Sequence, residues 1–167
     1  MLDLLLTILN TAFWIALHFG VGFFVTSLPE ALRKKIFNAS KPFFFVSDTE
    51  MRFYRRIKLA KWKDKLPQYN RDFEKRHLQG HITQEYLEHF ILVTCQSEII
   101  HYLISGLGFL SLLFCLLCPS PGESLWIFLT IAAVIALANL PFSLIQRYNR
   151  KRLIQLQTTL IKRQHNT

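Results

Sequence analysis

Three long stretches of this chain hold no lysine or arginine, although the whole chain carries 20. They cover residues 2–26, 99–118 and 125–145 and run 25, 20 and 21 residues. A helix rising about 1.5 Å per residue needs roughly 20 apolar residues to cross a bilayer core. Each stretch is long enough, which excludes an ordinary soluble domain. Basic residues are also missing before residue 2 and between residues 118 and 125, whereas 14 lie in 33–76 and six in 147–163. Three spans put the long loop and the C-terminal tail on one face. The positive-inside rule makes that face the cytoplasm.

Other scarcities narrow the class. Cysteine occurs three times, as Cys95, Cys115 and Cys118. The Cys115/Cys118 C-x-x-C has no second pair, so a four-ligand zinc site cannot be completed. In its leucine context it reads as two small buried side chains rather than a redox pair. There is no internal repeat, which argues against an inverted-repeat transporter, and no low-complexity tract. A basic n-region and an A-x-A site are absent, so the first span reads as a retained anchor with its N-terminus outside. At 167 residues the chain cannot hold a bundle and a separate soluble enzyme domain. It reads as one membrane domain, 1–167. The net charge of +9 comes without any nucleic-acid motif, so the expected partner is anionic membrane lipid and not nucleic acid.

The expected fold class is therefore an all-α integral membrane protein. Three transmembrane helices are joined by a basic cytoplasmic loop, about 27–98, with interfacial amphipathic helices, and a tail from 146 to 167. An amphipathic helix is expected over residues 49–61, ended by Leu66-Pro67. Phe43-Phe44-Phe45 beside Lys41 suits either the headgroup boundary or the inside of a small loop domain. Thr83 is expected to N-cap the second long helix. Pro119-Ser120-Pro121-Gly122 is expected to form a tight outer turn. Pro141 should loosen the third span. Leu153, Leu156 and Leu160, at helical spacing, predict a further helix in the tail.

Few residues are placed to carry chemistry. Glu98 and His101 lie at i and i+3 on one helix face, within about a turn of the membrane boundary. Ionisable groups at that depth are costly and are candidates for function. A carboxylate can orient an imidazole and raise its basicity, so His101 reads as a general base and Glu98 as its orienter. The structural alternative is an interfacial pair satisfied by water and headgroups. E-x-x-H is half of a di-iron site, but no second copy exists, so no metal is expected. His77 and His81 at i,i+4 lack the glutamate of H-E-x-x-H, and Gly80 interrupts them. His18 and Asn139 suit interhelical hydrogen bonding, and Asn139 also suits a sugar hydroxyl. Arg147-Tyr148-Asn149-Arg150 reads as a stop-transfer cluster or a phosphate clamp. Trp62-Lys63-Asp64-Lys65 reads as an interfacial anchor or an anionic contact.

Several of these runs are shared with one family. Ser97-Glu98-Ile99-Ile100-His101-Tyr102, Trp62-Lys63-Asp64-Lys65, Arg76-His77-Leu78, Ala138-Asn139-Leu140-Pro141 and Gln146-Arg147-Tyr148-Asn149-Arg150-Lys151-Arg152-Leu153 together resemble the glycosyl-4,4'-diaponeurosporenoate acyltransferases. The resemblance is collinear from about residue 28 to 163, and the first span matches only in hydrophobicity. It implies a bacterial cell-membrane, multi-pass enzyme with a cytoplasmic C-terminus. Such an enzyme attaches a fatty acyl group to the sugar of a carotenoid glycoside. On that reading His101 and Glu98 are catalytic, and Trp62, Lys63, Lys65, His77, Asn139, Arg147, Tyr148, Asn149 and Arg150 bind substrate. No cofactor is bound; an acyl thioester with an anionic carrier is the co-substrate and a glycolipid the acceptor. Other acceptors, such as a glycosyl diacylglycerol, remain open, as does a non-catalytic scaffold. The H-x-x-x-x-D pattern of glycerol-phosphate acyltransferases is absent.

Overall fold

The computed structural model describes residues 2–66 and 83–165. Among the described residues all regular structure is helical: α1 (Leu2–Ser27), α2 (Glu30–Ile36), α3 (Asp48–Arg56), α4 (Leu59–Trp62), α5 (Gln84–Leu107) and α6 (Pro121–His165), with 3-10 segments at Pro42–Phe44, Lys63–Lys65 and Gly108–Leu117. Three helical stretches are long and apolar enough to cross a membrane: Leu4–Ser27, Gln84–Leu117 and Pro121–Gln164. Their outward residues include Leu4, Ile8, Phe19, Phe23, Leu116, Trp126 and Leu137, all exposed. In water such a surface would aggregate, and in lipid it is simply solvated. The chain is a helical membrane protein.

The chain divides into two compact units, Met1–Arg33 with Ser97–Ser143, and Lys34–Gln96 with Leu144–Thr167. In the first, several hydroxyls of the spans bond to their own helix. Thr11 donates to the Thr7 carbonyl at 2.8 Å, Thr26 to Gly22 at 2.9 Å, and Thr130 to Trp126 at 2.7 Å. Without water in the bilayer core, each hydroxyl needs such an internal partner. The N–H at Nδ1 of His18 likewise bonds the Trp14 carbonyl at 2.8 Å. Helix α1 packs on the 3-10 segment Gly108–Leu117. A Cβ at Gly108 would come within 2.3 Å of the Trp14 ring, so glycine is required there for the indole to sit against the backbone.

The second unit has two apolar clusters. One joins Val46, Tyr54 and Leu59 to Ile145 and Tyr148. The other joins Leu87, Phe90 and Ile91 to Leu153, with Leu156 and Leu160 packed against it. Of the tail leucines, Leu153 is therefore a core residue of this unit, and Leu156 and Leu160 pack partly buried against it.

Details depart from the sequence reading. The helix expected over 49–61 is two helices, because Lys58 takes a left-handed conformation (φ 54) and turns the chain between α3 and α4. Ser47 caps α3 by accepting from the Glu50 N–H at 3.1 Å, which leaves Thr49 inside the helix. Thr83 caps α5 as expected, its hydroxyl accepting from the Tyr86 N–H at 3.1 Å. The second span tightens to 3-10 geometry from Gly108 to Leu117. The third span and the tail form one helix of 45 residues running through Pro141. Pro121, expected in the turn, instead opens α6, where a first helical position needs no N–H.

Candidate functional site

The first unit holds the catalytic candidate His101. His101 on α5 and Asn139 on α6 meet at 2.9 Å, through His101 Nδ1 and Asn139 Oδ1. The amide cannot be turned round. Its Nδ2 donates to the Ile135 carbonyl at 2.9 Å, and a carbonyl accepts only. Oδ1 must therefore face the ring, and Nδ1 must carry the proton. Nε2 is left with its lone pair, the atom a general base needs. Phe142, one turn beyond Asn139, stacks on the imidazole with centroids 5.1 Å apart and planes 20° from parallel. The ring is thus fixed by one hydrogen bond and one aromatic face. Ser105 closes the next turn, its hydroxyl donating to the His101 carbonyl at 2.8 Å.

Glu98 precedes His101 by one turn of α5 and is wholly buried. The atom bonded to His101 Nδ1 is the Asn139 oxygen, so the orienting contact seen on this ring comes from an amide on another helix. Spacing within α5 could not reveal it, because the two residues are 38 apart in sequence. Phe142 and Ser143 were also absent from the sequence reading. Ser143 is 2% exposed and its Oγ has no hydrogen-bond partner.

In the second unit the basic cluster grips the chain's own loop. Arg147 donates through Nε and Nη2 to the two carboxylate oxygens of Glu50, at 2.6 and 2.9 Å. It also reaches the carbonyls of Phe43 and Phe45, at 3.0 and 2.7 Å. Arg150 is fully buried, donates through Nε to the Phe44 carbonyl at 3.0 Å, and lies over the Phe44 ring. Bidentate pairing of this kind is what arginine's planar fork supplies and lysine cannot. Phe44 is buried while Phe43 and Phe45 are exposed, so the aromatic triplet is split between core and surface. Tyr148 is buried edge-on against Tyr54. Asn149 is buried, with Nδ2 unpartnered. Trp62 packs against the first apolar cluster and donates to the Ile57 carbonyl at 3.1 Å. Lys63 pairs with Asp64 at 2.6 Å, and Lys65 ends the same 3-10 turn. His77, with Arg76, Leu78 and His81, lies outside the described residues. Among the described residues no group of three His, Cys, Asp or Glu could hold a metal ion.

The Glu50 carboxyl titrates under opposing influences. Burial alone would raise its pKa. Hydrogen bonds from Arg147 and Tyr54, with the charges of Arg147 and Arg150, outweigh burial and hold it below the usual 4.5. Burial, then the bond to Glu50, pushes the Tyr54 hydroxyl well above its ordinary value, so it stays a donor at neutral pH. A carboxylate with a depressed folded pKa stabilises the fold fully above its unfolded pKa. That contribution fades as pH falls through the lower folded value. The second unit is therefore expected to lose thermal stability as pH drops below the usual carboxylate range. Melting curves of detergent-solubilised Glu50→Gln should show a shallower acid slope than the parent; an equal slope would refute this role for Glu50.

A membrane-embedded helical protein with a tautomer-fixed imidazole is thus defined. The family model described as glycosyl-4,4'-diaponeurosporenoate acyltransferase matches residues 33–159. Curated proteins of that name from Staphylococcus aureus strains N315 and USA300 are each 28% identical over 156 residues, covering 90% of this chain and 87% of theirs. No solved structure matches the chain. The chain belongs to the glycosyl-4,4'-diaponeurosporenoate acyltransferase family.

Proposed function

We propose that this protein is an O-acyltransferase. It moves a fatty acyl group from a thioester onto a hydroxyl of the sugar of a membrane glycolipid, here a glycosylated diaponeurosporenoate. Family membership across residues 33–159 carries the reading. The His101–Asn139 pair supports it with a chemically suitable base.

The chemistry is simple to balance. His101 Nε2 takes the proton of the sugar hydroxyl as its oxygen attacks the thioester carbonyl. A C–O bond forms and the C–S bond breaks. The proton on Nε2 passes to the departing sulfur, which leaves as a thiol. Asn139 Oδ1 holds Nδ1–H throughout and favours the transient imidazolium, because it is already an acceptor for that proton. Such base catalysis supplies about 10²–10⁴ in rate. Glu98 lies buried one turn away on the same helix, and the anionic carrier of the thioester would be drawn to the cytoplasmic basic face. No metal or bound cofactor enters this scheme.

Glycolipids extracted from a pigmented bacterial host with and without the gene test the activity. Mass spectrometry should find the acylated glycoside only where the protein is made. Acylated glycosyl diacylglycerol in its place would move the acceptor assignment. Unchanged lipids from a well-inserted protein would return the chain to a scaffold.

The proposed location is the bacterial cell membrane, with the loop and C-terminus inside, since all 20 Lys/Arg fall on that side of a three-span layout. In a background with the native cysteines replaced, a membrane-impermeant thiol reagent is expected to label Ser120→Cys on intact cells and Gln164→Cys only after lysis. The reverse pattern would overturn the orientation.

A further inference from the structure

Among the described residues of the first unit five buried polar side-chain atoms have no partner, and three of them, Asn10 Oδ1, Trp14 Nε1 and Ser111 Oγ, belong to α1 and the 3-10 segment packed on it. Two belong to α1 and lie at i and i+4, hence on one face. Ser111 is wholly buried, and Trp14 is 8% exposed. Ser111 lies on the 3-10 segment that packs on α1. With three residues per turn, Gly108, Ser111 and Phe114 line one edge of it. Gly108 lies against the Cη2–Cζ3 edge of the Trp14 ring, and Phe114 meets Phe13 edge-on at 5.9 Å. Ser111 sits between those two contacts, so it faces the stretch of α1 that carries Asn10 and Trp14. A 3-10 run of ten residues is itself unusual, since most stop after three or four.

We infer that this seam is a binding site for a single hydroxyl group inside the membrane. The three atoms specify that chemistry. The indole N–H only donates, the amide oxygen only accepts, and the serine hydroxyl does either. An anion would face Asn10 Oδ1, and a cation would face the Trp14 N–H. A ketone or ester carbonyl would leave Asn10 unsatisfied. A hydroxyl oxygen, with lone pairs and one proton, satisfies all three. In lipid the alternative is three polar groups without partners, which is costly. The oxygen comes from an ordered water or from the head of a membrane-soluble alcohol. The site is separate from the acyl-transfer reading, and the family-model match begins only at residue 33, after α1.

Trp14 is its own reporter. The full chain is placed in phosphatidylcholine nanodiscs, and Trp14 emission is taken as the difference from a Trp14→Phe variant. Bromoundecanol and bromoundecane are added as heavy-atom quenchers with equal tails. If a lipid alcohol fills the site, bromoundecanol should quench Trp14 saturably at about tenfold lower concentration than bromoundecane, the scale of one to two net hydrogen bonds. Ser111→Ala and Asn10→Leu should each reduce that preference. If water fills the site, both quenchers should act alike, while both variants shift Trp14 emission to the blue. Equal quenching together with unshifted emission in both variants would overturn the inference.

Discussion

Replacing His101 by alanine is expected to lower acyl transfer by about 10²-fold or more in a protein that still inserts normally, the usual loss on removing a positioned base. The measurement is acylated glycolipid formed per inserted protein. Asn139→Leu should lose less. It keeps the imidazole but removes the acceptor that fixes the proton on Nδ1, so a fraction of rings would present Nε2–H in place of a lone pair. The double variant should be little worse than His101→Ala alone, because residues acting as a unit are not additive. Glu98→Gln should also cost less than His101→Ala, since the amide preserves shape. Near-normal transfer by well-inserted His101→Ala would end the assignment, and His18, on α1 of the same unit, would be the next base to test.

Arg147→Ala is expected to destabilise the second unit by about 2–4 kcal/mol, the scale for stranding one partner of a largely buried ion pair after allowance for partial exposure. The loss goes beyond a charge. The guanidinium closes both oxygens of Glu50 and two loop carbonyls, so its removal strands several acceptors at once. Arg147→Lys should recover only part of the loss, because an ammonium cannot span both carboxylate oxygens in one plane. Thermal melting in detergent, followed by tryptophan emission, reports the change through Trp62 in the adjoining cluster. An unaltered melting temperature in the alanine variant would mean that the loop is held by apolar packing alone.

Much of the architecture was legible in the chain. The spans showed as stretches free of Lys and Arg, because charge is too costly in hydrocarbon to be scattered there. The cap at Thr83 was legible because it depends on backbone groups within four residues, whereas the turn expected over Pro119 to Gly122 gave way at Pro121 to the start of α6. The break at Lys58 was not, since a lysine carries no signal for a left-handed conformation and only packing on both sides holds it there. The basic cluster was ambiguous from charge alone. A stop-transfer run, a phosphate clamp and a loop clasp share one composition. Contacts spanning 104 residues, from Arg147 to Phe43, show the clasp.

The site divides along the same line. By itself the sequence determined that His101 and Glu98 share a helix face, because 3.6-residue periodicity is local and depends on nothing else. It also determined that Asn139 lies within a span, where an amide must find a partner. Only the tertiary structure decided that the partner is His101, that Phe142 covers the ring, and that Nε2 is the nitrogen left with its lone pair. Those outcomes depend on the register between α5 and α6. That register is set by how whole helix faces pack, and no short window of residues encodes it.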